Sequence, residues 1–167
     1  MFEAADVVEV LALLEGAGVA LWLDGGWGVD ALLGEQTRAH GDLDLVVTEA
    51  GAAAAALAGL GFRPDLEAAP GLPARLVLVD RHGRQVDLHP VVLDTGGNGW
   101  QDLGGGAWGD YPAAGLAAGG LVAGRPVRCV SAALQVAHHM GYPLAAGDRH
   151  DLRLLAERFG VPVPPGV

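Results

Sequence analysis

Lysine is absent from this 167-residue chain, and cysteine occurs once, as Cys129. A single thiol excludes an internal disulfide and a cysteine-only zinc site. All ten Lys+Arg residues are arginine, set against 20 Asp+Glu, for a formal net charge of −10. So acidic a chain gains nothing from neutralising a phosphate backbone, which argues against a dedicated nucleic-acid binder. An acidic cleft suits a cationic small molecule better. No apolar run approaches the roughly 18 residues of a membrane span. The start, Met-Phe-Glu-Ala-Ala-Asp, lacks the basic segment of a signal peptide, so a cytoplasmic location is expected. Aromatic residues are sparse at 5%, yet the hydrophobic share of 51% and a mean hydropathy of +0.32 exclude a disordered chain. The length suits one domain with a real core. Residues 1–167 are expected to form a single unit: a core over about 1–93, then a loop, a hairpin and two helices over about 94–160.

What is there reads as mixed α+β, a small mixed sheet with helices packed against it. Val7, Val8, Leu11 and Leu14 recur at helical spacing over 3–16, stopped by Gly16 and Gly18. Residues 19–24 are strand-like and run into a Gly25-Gly26 turn, followed by a short helix from Trp27 to Leu33. Asp42 to Val47 alternates as a strand, and Ala50 to Leu60 is an alanine-rich helix ended by Gly61. Arg75–Val79 and Gln85–Val92 form a hairpin closed by Asp80-Arg-His-Gly83. Residues 94–120 read as a long glycine-rich loop carrying Trp100, Trp108 and Tyr111. Its aromatics, with Asp102 and Asp110, either line a substrate pocket or pack on one another at the surface. A second small hairpin spans Leu121 to Val130 around Gly124-Arg125. Ser131 caps a helix to Met140 ended by Gly141, and Asp148 caps another running to about Phe159.

The chemistry concentrates in three acids. Asp42 and Asp44, at i and i+2 of a strand, point to one face, while Leu43, Leu45 and Val47 mark the strand as buried, where unpaired acids are costly. Asp87 in Val86-Asp-Leu-His89-Pro90 would supply a third carboxylate from another strand, completing an oxygen cage for Mg²⁺. Nucleotidyl transfer needs such a cage for two metal ions and a base for the attacking hydroxyl. Asp42 and Asp44 are the expected metal ligands, and Asp87 a ligand and the candidate base. Gly25 and Gly26 let backbone approach a triphosphate and offer N–H groups at a helix N-terminus. Arg38 is either a phosphate clamp or a salt-bridge partner, and His40 either touches phosphate or anchors its loop. His89 either orients the base, touches substrate or is structural. Asp30 suits a capping or supporting role, Trp27 the core, and Asp24 the end of its strand. His138 and His139 are adjacent and face different ways on a helix, which argues against a histidine metal site. His150 and Asp151 are expected to fix the C-terminal helices against the sheet.

At these residues the chain resembles a known family. Trp22-Leu-Asp-Gly-Gly-Trp-Gly-Val-Asp-Ala-Leu-Leu-Gly34, then Thr37-Arg-Ala-His40-Gly-Asp42-Leu-Asp44, is similar to the lincosamide nucleotidyltransferases and, next, to the aminoglycoside 2''-nucleotidyltransferases. Both lie in the DNA polymerase β-like superfamily. Val86-Asp87-Leu-His89-Pro90 matches its third-acid element, and Asp110-Tyr-Pro, Val127-Arg-Cys-Val-Ser131, His139-Met-Gly-Tyr142 and Asp148-Arg-His-Asp151 resemble the lincosamide branch. The resemblance implies a polymerase β-like nucleotidyltransferase fold, two Mg²⁺ ions, and transfer of a nucleoside monophosphate from a nucleoside triphosphate, usually AMP from ATP, to an antibiotic-like hydroxyl. It assigns Asp42 and Asp44 to metal and Asp87 to metal or base, and it implies a homodimer. Two other readings stand beside it: a nucleotidyltransferase acting on protein or tRNA, and a nucleotide-binding module without catalysis.

Overall fold

Strict alternation along Asp42–Val47 sends Leu43, Leu45 and Val47 into a fully buried core and leaves Asp42 and Asp44 on the opposite face. That strand, β2, lies second in a five-stranded mixed sheet of order β1-β2-β5-β4-β3. The computed structural model describes residues 1–68, 70–140 and 142–167. The strands are β1 (Leu21–Leu23), β2 (Asp42–Val47), β3 (Arg63–Pro64), β4 (Leu76–Val79) and β5 (Gln85–Pro90). In this sheet β2 and β5 run parallel, and their register sets Asp44 opposite Asp87 and Asp42 opposite Gln85. Helices α1 (Ala4–Gly16) and α3 (Ala50–Leu57) cover the back of the sheet. There Val7, Leu11, Leu14 and Leu57 meet Leu23, Leu43, Leu45, Val86 and Leu88 in one cluster. Each fully buried side chain of this size contributes about 1.5–3 kcal/mol relative to exposure.

The helix after β1 starts earlier than its glycines suggest. α2 spans Gly25–Leu33, so Gly25 and Gly26 are its first two residues rather than a separate turn. Asp24 is the cap, its Oδ1 accepting from the Gly25 N–H at 2.9 Å. A capping aspartate outweighs glycine's low helix propensity at the first turn.

Residues 94–120 also differ from expectation. In place of a loop there is a second sheet, β6 (Val92–Leu93), β7 (Gly99–Gly104) and β8 (Ala107–Tyr111), then α4 (Ala113–Leu116) and β9 (Gly119–Val122). Gly104, Gly105 and Gly106 all have positive φ and form the tight β7–β8 connection. β9 pairs with β10 (Arg125–Arg128) in the expected hairpin. Gly120 packs so closely on α2 that a Cβ there would collide with the Ala31 backbone. α5 (Ala132–His138) is capped by Ser131, and α6 (Ala146–Phe159) follows. Asp148 is the third residue of α6 rather than its cap, with its carboxylate accepting from the Ala145 N–H at 2.8 Å. The expected stop at Gly141 lies outside the described residues. Val29, Val136, Leu152 and Leu155 join α2, α5 and α6 in a separate apolar cluster. Among the described residues no helix is long and apolar enough to cross a membrane.

Candidate active site

The front of the sheet opens into a cleft of about 530 Å³. Its floor carries Asp42, Asp44 and His89; Gly25, Gly26 and Asp24 form one wall. The opposite wall comes from β7 and β8 with Gln101, Asp110 and Tyr111, and α5 and α6 close the third side with His138, His139, Asp148 and Asp151.

Asp87 lies under this floor, 1% exposed. Its Oδ2 accepts from Arg75 Nη1 at 3.0 Å and its Oδ1 from Gln85 Nε2 at 2.8 Å. Burial, then the charge of Asp44, pushes the Asp87 carboxyl above the usual carboxylate range, against the pull of Gln85 and Arg75. Burial and Asp44 raise Asp42 in the same way. Asp44 Oδ1 stands 3.2 Å from His89 Nε2. Burial works against a charged His89, but the hydrogen bond and charge of Asp44 outweigh it and the imidazole is raised. Gln101 Nε2 donates to the Ala74 carbonyl at 2.7 Å and approaches His89 Nδ1 at 3.5 Å. With Gln101 donating, His89 presents its Nε2–H to Asp44.

Among the described residues no three His, Cys, Asp or Glu side chains converge closely enough to hold a metal ion as they stand. The donor chemistry nevertheless fits a hard divalent cation. Carboxylates from β2 and β5 share one face, and the charge of Asp44 raises both Asp42 and Asp87, a repulsion that such a cation relieves.

The glycines are required by crowding. Gly25 has φ +55°, and a Cβ on it would collide with the Asp44 carboxylate. A Cβ on Gly26 would run into the His40 ring and come within 2.7 Å of Arg38 Nη2. Here the sequence alternatives separate. His40 is 2% exposed, bonded through Nε2 to Asp30 Oδ2 and packed on Trp27 at 4.9 Å between ring centroids. Asp30 also accepts from the Thr37 N–H and Oγ1, so it fixes the 37–40 loop from below. Arg38 faces the cleft and makes a bidentate pair with Asp151.

Asp110 and Tyr111 line the cleft, as one of the two readings of the 94–120 segment has it, whereas the part of His138 in the far wall was not legible in the sequence. His138 Nδ1 lies 4.0 Å from Asp24 Oδ2 and packs edge-on against Tyr111 at 4.7 Å. Asp24 is itself raised, by burial first, against the lowering effect of His138 and His89. Its position directly before Gly-Gly was the available signal. Trp100 and Trp108 turn away from the cleft, 42% and 57% exposed, and Asp102 accepts from the Gly104 N–H at 2.8 Å instead of lining it. Cys129 is fully buried, its thiol pushed up to about 12 by burial, which makes it inert.

An acid-bearing parallel pair beside a glycine-opened helix is the layout of a nucleotidyltransferase, and solved structures of that class share the fold. A crystal structure of the lincosamide antibiotic adenylyltransferase LnuA, lincomycin-bound, superposes with a TM-score of 0.79 at 28% identity, over 90% of this chain and 94% of that one. ANT(2'')-Ia in complex with adenylyl-2''-tobramycin gives a TM-score of 0.69 at 25% identity, over 92% and 87% of the two chains. The model of the aminoglycoside-2''-adenylyltransferase family matches residues 6–155, and the chain belongs to that family. A lincosamide resistance protein of Staphylococcus haemolyticus is 30% identical over 159 residues, 87% of this chain and 89% of that protein. A 2''-aminoglycoside nucleotidyltransferase of Escherichia coli is 33% identical over 128 residues, 74% of this chain but 64% of that longer protein. The protein is therefore a nucleotidyltransferase, and an adenylyltransferase family carries with it a nucleoside triphosphate as co-substrate.

Proposed function

We propose that this enzyme moves AMP from ATP onto a hydroxyl of a small cationic antibiotic-like acceptor, of the lincosamide or aminoglycoside kind, in a Mg²⁺-dependent reaction. The observation that carries the reading is the register of β2 and β5, which brings Asp42, Asp44 and Asp87 onto one face beside Gly25 and Gly26.

Asp42, Asp44 and Asp87 would hold two Mg²⁺ ions, which supply charge neutralisation for the triphosphate and for the in-line transition state. Gly26 lines the cleft at the N-terminus of α2, a favourable end for anions. Arg38 offers guanidinium N–H groups to phosphate oxygens from the adjoining wall. The acceptor hydroxyl gives its proton to Asp87 as its oxygen bonds to the α-phosphorus. The bond from that phosphorus to the bridging oxygen breaks, and pyrophosphate leaves. A raised carboxyl suits Asp87 to general-base work. Arg75 and Gln85 each bond one oxygen of Asp87, and the remaining lone pairs are open to the proton. His40, buried on Asp30 beneath Gly26, supports the phosphate wall rather than touching substrate.

The acceptor side is acidic and aromatic: Asp110, Asp148, Tyr111 and Tyr142 line it. This lining and the acceptors of the two relatives support a cationic, ring-bearing molecule. The test is pyrophosphate release with Mg²⁺-ATP against a panel of lincosamides and aminoglycosides, with mass spectrometry of the products. A gain of one nucleoside monophosphate on a panel member supports the reading. Silence across the panel with Mg²⁺-ATP still bound overturns the acceptor class.

A further inference from the structure

Arg38 and Asp151 are 113 residues apart in sequence and joined by two hydrogen bonds, Nε to Oδ1 at 2.8 Å and Nη2 to Oδ2 at 2.6 Å. A third guanidinium bond runs from Nη1 to the Ala39 carbonyl at 3.2 Å. Of the five N–H groups of an arginine, these use three and leave two for the cleft that both residues line. Glycines flank the guanidinium. A Cβ on Gly26 would come within 2.7 Å of Nη2, and one on Gly147 within 3.3 Å of Cζ. The Asp151 side chain is 2% exposed, against 30% for Arg38. A buried ion pair contributes little net stability, because desolvation offsets the attraction. A bidentate carboxylate does, however, fix the plane and direction of a guanidinium.

We infer that Asp151 is a positioning residue for Arg38, so that helix α6 sets the geometry of the nucleotide site without touching the nucleotide. The inference rests on the reading of Arg38 as a phosphate contact. It predicts a sign opposite to simple charge. Removing an acid from a cleft that takes a polyanion should tighten binding, whereas loss of positioning weakens it.

The test is equilibrium binding of Mg²⁺-ATP to the full chain by calorimetry. Arg38→Ala should weaken binding roughly tenfold or more, the scale of a charged hydrogen bond. Asp151→Asn should weaken it severalfold, and the double variant should be no worse than Arg38→Ala alone. Asp151→Glu, which keeps the charge but shifts the guanidinium, serves if the Asn variant does not fold; it should weaken binding in the native background and not beside Arg38→Ala. Tighter or unchanged binding in Asp151→Asn overturns the inference, and so do additive losses, while leaving the proposed function standing. An unaffected Arg38→Ala overturns the phosphate contact and the inference together.

Discussion

A side chain on Gly25 would have to stand where the carboxylate of Asp44 already is. The first residue of α2 and the second acid of β2 thus share one space, and Gly25 also holds φ +55°. Gly25→Ala should cost about 1–2 kcal/mol in backbone strain and push Asp44 aside. The expected result is a melting-temperature drop of several degrees with a turnover loss of at least about a hundredfold, larger than the strain alone explains. Normal turnover would mean that the close approach has no part in catalysis.

Asp44→Asn should abolish Mg²⁺-dependent activity while leaving the metal-free fold at least as stable as the native one. The reason is that the charge of Asp44 raises both Asp42 and Asp87, so its removal relieves repulsion. Thermal melts without metal, beside a pyrophosphate assay, check both halves. A clear loss of stability would mean that Asp44 is structural.

Asp87→Asn should lower turnover far more than nucleotide affinity, because its proposed task is proton removal from the acceptor hydroxyl. Single-turnover rates and Mg²⁺-ATP titrations separate the two. Normal turnover with weakened nucleotide binding would make Asp87 a binding residue instead.

Asp80 offers a control outside the cleft. It accepts from the His82 N–H at 2.8 Å, the Arg84 N–H at 2.9 Å and Arg84 Nε at 2.8 Å. Burial works the other way, but these bonds hold its carboxyl at about 2, below the usual 3.8. A depressed carboxylate contributes stability that is present above the unfolded pKa and is lost as pH falls through the folded one. Asp80→Asn should therefore destabilise by roughly 1–3 kcal/mol near neutrality, with the gap to the native chain closing between about pH 4 and pH 2. Mg²⁺-ATP affinity should stay unchanged. Denaturant melts across pH read the first effect and calorimetry the second.

The acid strand was legible because alternation puts Leu43 and Leu45 on one face and Asp42 and Asp44 on the other. Asp87 was legible from its apolar neighbours, but its pairing with Asp44 was not. That register joins strands separated by α3, β3 and β4, and no local pattern encodes it. Gly25 and Gly26 read as a turn because glycine disfavours helix, and the capping Asp24 just before them was the outweighed signal. The β6–β8 sheet was hidden for a related reason. Its strands carry Gly99, Gly104 and Gly109, residues of low strand propensity, and packing decided the outcome. The cleft's far wall draws on Gln101, Tyr111, His138 and Asp148, each in a different element. Only their tertiary meeting gives them a common use.

The 113-residue span between Arg38 and Asp151 has a consequence for the order of events during synthesis. A chain that has left the ribosome only as far as Pro90 already contains all three acids and the strands that align them. It lacks every residue of α5 and α6, and with them the partner of Arg38 and one side of the cleft. Synthesis thus makes the three acids before it makes the helices that close their cleft.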